Sequence, residues 1–244
     1  MKSFLVFAWG ISMSLSAQIV EITTIEDVSK FVHTPKGALC IFDVDYTLTM
    51  PKEPACQMPN IIKYIQVFKA VYEGLSDDVA NLLKMHIVGD GDSIMIEEGA
   101  LDVLQQLKNN GSYLMAFTAA NRTHQGNGDW RNRQLESLGI HFHKQEIALA
   151  PESEVYHKGV LYGNFVEEKG GTLIKWLSTA YIKPQLIVAV DDDLKHLKAM
   201  ERELQGSSVE FVGLHYKGAK QYKSQEVSEE QFKDYYKNLR KLVE

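Results

Sequence analysis

Apolar and polar positions along this chain predict strands and helices taking turns. A short β-prone run at residues 19–22 precedes a helix at 24–32, which a threonine and acidic residues begin. Residues 38–42 form a continuous apolar run of strand length, after which Pro51, Pro54 and Pro59 break the chain. Ile61, Ile65, Phe68 and Tyr72 mark one helical face, and Val79, Leu82, Leu83 and Ile87 mark another, closed by Gly89-Asp90-Gly91-Asp92. A helix at 97–109 carries Leu101, Leu104 and Leu107 and stops at Gly111. The second apolar strand spans 112–117 and finishes at Thr118. An amphipathic helix at 129–138 ends at Gly139, a strand follows at 145–149, and a hairpin at 155–166 turns near Gly163. A helix at 170–180 carries Leu173, Ile174 and Leu177, and the strand at 186–190 ends in three aspartates. Leu194, Leu197, Met200 and Leu204 place the next helix, and 209–214 is a further strand. Without repeats or low-complexity tracts, this alternation predicts an α/β fold with a doubly wound, mainly parallel sheet.

Two strand ends carry the chemistry. In Cys40-Ile41-Phe42-Asp43-Val44-Asp45-Tyr46-Thr47, extended backbone puts Asp43 and Asp45 on the same side. They lie at the C-terminal end of a buried strand, where open α/β sheets bind ligands. Paired carboxylates repel unless a cation or shared proton neutralises them, and they can act as nucleophile and acid/base around a hard divalent metal. A surface pair that caps a turn or binds calcium is the alternative. Val190-Asp191-Asp192-Asp193 is the second such strand end.

The first stretch resembles motif one of the haloacid dehalogenase-like (HAD) phosphohydrolases: an apolar run, D-x-D-x-T, then an apolar residue. The resemblance implies that Asp43 attacks phosphorus, Asp45 protonates the leaving oxygen and Thr47 fixes the loop. The dehalogenase branch lacks the second aspartate, so Asp45 implies phosphate chemistry. Thr118 resembles motif two, where a hydroxyl and nearby N–H groups hold a transferring phosphoryl oxygen; a turn hydroxyl is the alternative. Lys169, followed by Gly170 and a helix, resembles motif three, with Lys158 and Lys175 as rivals; its ammonium would offset charge between nucleophile and phosphate. The aspartates at 191–193 resemble motif four. Asp192 matches the metal-binding position, Asp191 supports it and Asp193 caps the helix, although a register shift of one would exchange the roles. Magnesium is the implied cofactor, held by Asp43, Asp45 through its backbone carbonyl, Asp192 and Asp191. A Rossmann-like HAD core at 18–50 and 96–244 with a small helical cap insertion at 51–95 is the implied architecture. Uncharged Tyr46, the small cap, the Lys-Gly pair and the Asp-Asp pair together are similar to a group of bacterial secreted members.

Length and composition bound the rest. A chain of 244 residues with 45% hydrophobic and 24% charged residues holds one core plus a modest insertion. Its net charge of −6 disfavours nucleic acid and anionic membrane as partners. Lys2, an apolar run and Ser14-Leu15-Ser16-Ala17 read as a signal peptide over 1–17, implying export to the periplasm or beyond without a stable membrane anchor. Cys40 and Cys56 allow one disulfide, but two independent buried thiols are the default. Arg122 reads as a solvated residue with substrate contact as the alternative. His141 and His143 lack a third ligand for zinc, and Trp130 and Trp176 read as packing. The expected activity is magnesium-dependent hydrolysis of a phosphorylated small molecule or phosphoprotein through an aspartyl-phosphate. A phosphotransferase using the same intermediate and a secreted, non-catalytic binding or effector protein are the alternatives.

Overall fold

The structure, a computed structural model, describes residues 18–142, 148–165 and 168–244. The expected leader at 1–17, His143 and most of the strand expected at 145–149 lie outside those residues. Among the described residues, the main sheet runs in the order β1 (Gln18–Ile22), β9 (Glu210–Tyr216), β8 (Leu186–Asp191), β2 (Leu39–Phe42), β5 (Tyr113–Thr118), β7 (Val160–Tyr162) and β6 (Tyr156–His157). Neighbours are parallel except β6 with β7, as the mainly parallel, doubly wound reading requires.

Why these runs are unbroken stretches of apolar residues follows from their two buried faces. Cys40 and Phe42 of β2 join Leu114 and Ala116 of β5 and Val188 and Val190 of β8 in one core layer. The intervening Leu39, Ile41, Met115, Phe117, Ile187 and Ala189 join the other. α4 (Ala100–Asn109) and α5 (Trp130–Ser137) supply Val103, Leu104, Leu107 and Leu135 to the first layer. α6 (Lys169–Thr179) and α7 (Leu194–Leu204) supply Leu173, Trp176, Leu197 and Met200 to the second.

The helical insertion leaves the core through a small antiparallel pair, β3 (Thr49–Pro51) with β4 (Ser93–Met95). Between them lie the 3₁₀ turn Pro54–Cys56, α1 (Met58–Lys63), α2 (Ile65–Tyr72) and α3 (Asp77–Gly89). Their apolar faces form a third core with α8 (Glu229–Arg240), a helix the hydrophobic pattern did not expose. Tyr64 meets Phe232 with ring centroids 5.0 Å apart, and Phe68 meets Tyr236 edge-on at 5.3 Å. The C-terminal helix therefore packs on the insertion, although it follows the core in sequence. Leu83 and Ile87 face this core, whereas Leu82, expected on the same face, is exposed.

Two further elements differ from the pattern reading. The segment expected as a helix at 24–32 is a 3₁₀ helix, Ile25–Phe31, capped by Thr24 as expected. Ile25, Val28 and Phe31 recur every three residues, the 3₁₀ period, and all three pack into the first core layer. The hairpin turns at Lys158 and Gly159 (φ 48° and 78°), not near Gly163. Positive φ at both central residues is what a two-residue loop between twisted strands demands. Cys40 and Cys56 are buried free thiols, as the default reading had it. Burial pushes their pKa values up to about 12 and about 11, which keeps both thiols protonated. No helix among the described residues is long and apolar enough to cross a membrane.

Candidate active site

At the C-terminal ends of β2 and β8 the ladder continues one bond further, Asp43 N–H donating to Val190 O at 2.8 Å. This register sets Asp43 beside Asp191 and Asp192. After Asp43 the chain turns back sharply: Leu48 and Thr49 N–H groups donate to Val44 O at 3.1 and 2.9 Å, and Tyr46 N–H donates to Thr49 O at 2.7 Å. Tyr46 sits at φ 63°, a left-handed conformation that is unusual for a bulky residue. Its hydroxyl anchors it by donating to Cys56 O of the insertion at 3.0 Å. Thr47 Oγ1 accepts the Asp192 N–H at 3.1 Å and so ties the two acidic loops together.

Lys169 opens α6 and reaches the middle of this group. Its ammonium donates to Asp43 Oδ1 at 2.6 Å, Asp191 Oδ2 at 2.7 Å and Phe117 O at 2.7 Å. Gly170 makes that position reachable, because a Cβ there would lie 2.2 Å from Ala199 O of α7. The two helices close on each other only without a side chain at this point. Of the three lysines weighed from sequence, Lys169 alone meets the acids: Lys158 pairs with Asp129, and Lys175 is exposed on α6.

Charge in the group is unevenly balanced. Burial raises the Asp43 pKa to about 6, with Lys169 opposing and Asp191 and Asp45 adding to the rise. Burial would raise Asp191 too, but Lys169 and His196 outweigh it and hold that carboxyl below its usual value. Asp192 is pushed well above the carboxylate range by burial and by the charges of Asp43 and Asp191. Lys169 is held firmly protonated by its two acids despite its burial. One ammonium thus faces three carboxylates whose ligand oxygens lie within 4.8 Å of one another. All-oxygen donors with unbalanced negative charge fit a hard divalent cation such as Mg²⁺.

Asp45 points elsewhere. Its Oδ2 accepts from Arg131 Nη2 at 2.6 Å and from Thr118 Oγ1 at 3.3 Å. Its carboxylate is outside the three-acid group, and the atom expected to serve a metal there is its backbone carbonyl. The Thr118 hydroxyl donates to Asp45 and accepts the Ala120 N–H at 3.1 Å. Asp193 caps α7 as expected, accepting from Lys195 N–H at 2.8 Å.

Sequence reasoning missed Arg131 and His196. Arg131 is completely buried, stacks on Trp130 at 4.1 Å and bonds Gln134, which in turn donates to Val88 O and Ser93 Oγ of the insertion. No pattern signal marked it, because an arginine on an amphipathic helix reads as part of the wet face. His196, one turn into α7, lies 3.2 Å from Asp191 Oδ1. Arg122, read as solvated, is half-buried and donates to Ser153 O at 3.0 Å, away from the acids. Trp130 and Trp176 are packing residues, as expected.

Above the acids lies a cavity of 370 Å³. Asp43, Asp45 and Asp192 line it together with Tyr46, while Phe68, Tyr72, Ile87 and Val88 of the insertion form an apolar wall. Phe165 closes another side, with Lys84 Nζ 5.5 Å from its ring centre. The cavity therefore presents three acids and an apolar wall to whatever enters, with the Lys169 ammonium buried behind Asp43.

No curated protein matches the sequence. Among solved structures the chain is similar to the HAD domain of effector protein Lem4 from Legionella pneumophila as an inactive mutant, with 15% identity, 84% of this chain and 93% of that chain covered, and a TM-score of 0.41. A second structure of that domain gives 14% identity, 84% and 95% coverage, and a TM-score of 0.40. A HAD-superfamily hydrolase from Ehrlichia chaffeensis gives 10% identity, 84% and 97% coverage, and a TM-score of 0.40. Residues 21–244 match the family described as "Protein of unknown function (DUF2608)", and the chain belongs to that family.

Proposed function

We propose that this protein is a magnesium-assisted phosphomonoester hydrolase that works through a phosphorylated Asp43. The observation that carries the reading is the division of labour between two carboxylates two residues apart. Asp43 is bound to Lys169 within the three-acid group, while Asp45 is held apart by Arg131 and Thr118. Such a split is what one nucleophile and one proton carrier require.

Asp43, Asp191 and Asp192 are the residues that would hold Mg²⁺. When bound, the ion would neutralise phosphate charge and polarise phosphorus toward attack. Asp43 supplies the carboxylate oxygen that bonds to phosphorus as the bond to the leaving oxygen breaks. Lys169 offsets the charge brought together there. Asp45, oriented by Arg131 and Thr118, delivers a proton to the departing oxygen. In the second half-reaction the same carboxylate takes a proton from the water that attacks the phosphorylated Asp43. Positioning and charge balance carry most of the acceleration in phosphoryl transfer. The apolar wall from α2 and α3 favours a leaving group with an apolar or aromatic body over a polyhydroxylated one.

Phosphate release from a panel of aryl, sugar and nucleotide monophosphates, with and without Mg²⁺, tests this reading. Magnesium-dependent turnover, fastest on an aryl or alkyl ester, is the expected result. Binding without phosphate release from any ester would replace the enzyme with a non-catalytic binding protein. Transfer to an added alcohol in preference to water would make it a phosphotransferase.

A further inference from the structure

A second cluster of ligating side chains lies where the insertion meets the core. His86 and Asp90 stand four residues apart at the end of α3, so they share one helix face. His124 comes from the loop after β5. His86 Nδ1 lies 2.6 Å from Asp90 Oδ2, and His124 Nε2 lies 2.7 Å from Asp90 Oδ1. One ligand atom from each residue falls within 4.8 Å of the others. The side chains of His86 and His124 are only 13% and 6% exposed.

The surroundings hold this cluster in place. His124 and Asn127 exchange backbone hydrogen bonds of 3.2 and 2.9 Å across a tight turn. Its central residues, Gln125 and Gly126, both have positive φ, 50° and 76°. Gly89 gives the imidazole its space, since a Cβ there would lie 2.7 Å from His124 Cδ2 and 3.0 Å from Nε2. Gln125 Nε2 donates to Asp90 Oδ1 at 3.0 Å. None of these residues touches the three-acid group. Ile87 and Val88, which lie between His86 and Asp90 in sequence, line the cavity above it.

We propose that His86, Asp90 and His124 form a binding site for a zinc-class divalent ion that fastens the helical insertion to the core. Two imidazole nitrogens with one carboxylate oxygen suit zinc and other late first-row ions, whereas magnesium prefers all-oxygen shells. The ion takes the place of the protons now between the rings and Asp90, and they leave for the far ring nitrogens or solvent. Tetrahedral bonds of about 2.0–2.1 Å place neighbouring donor atoms roughly 3.3 Å apart, so the contact between a ring and the Asp90 oxygen that binds the ion widens by about 0.6 Å. Water completes the coordination on the open side of Asp90. Zinc uptake here does not depend on the chemistry at Asp43.

The test is a zinc titration of the full chain against a chromophoric chelator, with magnesium in large excess to occupy the all-oxygen group. X-ray absorption is then measured at one equivalent of zinc. One ion per chain with two imidazole nitrogens in its first shell is the expected result. His124→Gln and Asp90→Asn should each weaken uptake at least about 100-fold, because changes that only perturb a ligand's partner already cost 10–100-fold. Gly89→Ala should weaken uptake without altering any ligand, by displacing His124. The site is overturned if the wild-type chain takes up no zinc in excess magnesium, or if the absorption spectrum lacks imidazole. Equal uptake by a His86→Gln/His124→Gln double variant would overturn it as well. The two wild-type measurements decide the matter even if a variant fails to fold.

Discussion

Asp43 and Asp45 are separated by one residue and yet live in different surroundings, Asp43 against Lys169 and Asp45 against Arg131. Asp43→Asn keeps the volume and removes the proposed nucleophile, so turnover should fall by at least a factor of about a thousand while melting stays cooperative. Steady-state phosphate release beside a thermal melt checks this, and near-wild-type turnover would take Asp43 out of the role. Asp192 makes a prediction about stability. A carboxyl whose folded pKa lies above its unfolded value binds extra protons in the folded state, so its contribution to stability falls as pH rises through that window. For Asp192 that window opens at the ordinary carboxyl value of 3.8 and extends well above it. In EDTA at pH 7.5, Asp192→Asn should therefore melt above wild type, and the gap should close as pH falls below about 4. Saturating magnesium should reverse the order, because the variant lacks one of the carboxylates proposed to hold the ion. Melting curves with EDTA and with magnesium at both pH values show this directly. A variant less stable than wild type in EDTA would mean that Asp192 carries no uncompensated charge.

At the scale of elements, the position of Lys169 depends on the contact between α6 and α7. Gly170→Ala would put a methyl group 2.2 Å from Ala199 O, so α6 must shift and carry Lys169 with it. Such overpacking typically costs about 1–3 kcal/mol, and turnover should fall further than the loss of folded protein explains. Turnover measured well below the variant's melting temperature separates the two effects. α8 should matter as much to the insertion. Phe232 is fully buried against Tyr64 and Tyr236, so Phe232→Ala should cost about 3–5 kcal/mol in chemical denaturation. What the sequence revealed and concealed at this scale has physical causes. β2, β5 and β8 were legible because strands buried on both faces read as unbroken apolar runs. α8 was overlooked because Phe232, Tyr236 and Leu239 are thinly spread among charged residues, although Ser228 and Gln231 form the capping box that marks its start. The hairpin turn was displaced because either Gly159 or Gly163 could serve a turn, and only the strand pairing distinguishes them. Over seven residues the three-residue spacing of Ile25, Val28 and Phe31 fits a 3₁₀ helix and also one face of an α-helix, so spacing alone does not fix the type of the helix after β1.

The whole molecule brings strand ends from residues 43, 118 and 191, and a lysine from residue 169, to one edge of a sheet and lays an apolar insertion over them. The acids and Lys169 were legible because each follows or precedes an element with a clear pattern. Arg131 was not, since its burial arises only when α5, the acidic loop and the insertion come together. Thr118 ends β5 as the pattern predicts, but the partner of its hydroxyl is set by the turn after Asp43, which no local pattern specifies. The central claim is that Asp43 becomes phosphorylated. Beryllium trifluoride with magnesium, a mimic of the phosphoryl group on a carboxylate, tests it most directly. The mimic should stabilise wild type by about 2.7 kcal/mol at one hundred times its dissociation constant, leave Asp43→Asn unchanged, and appear bonded to Asp43 in a crystal structure. Equal stabilisation of both proteins, or fluoroberyllate bound away from Asp43, would contradict a phosphorylated aspartate.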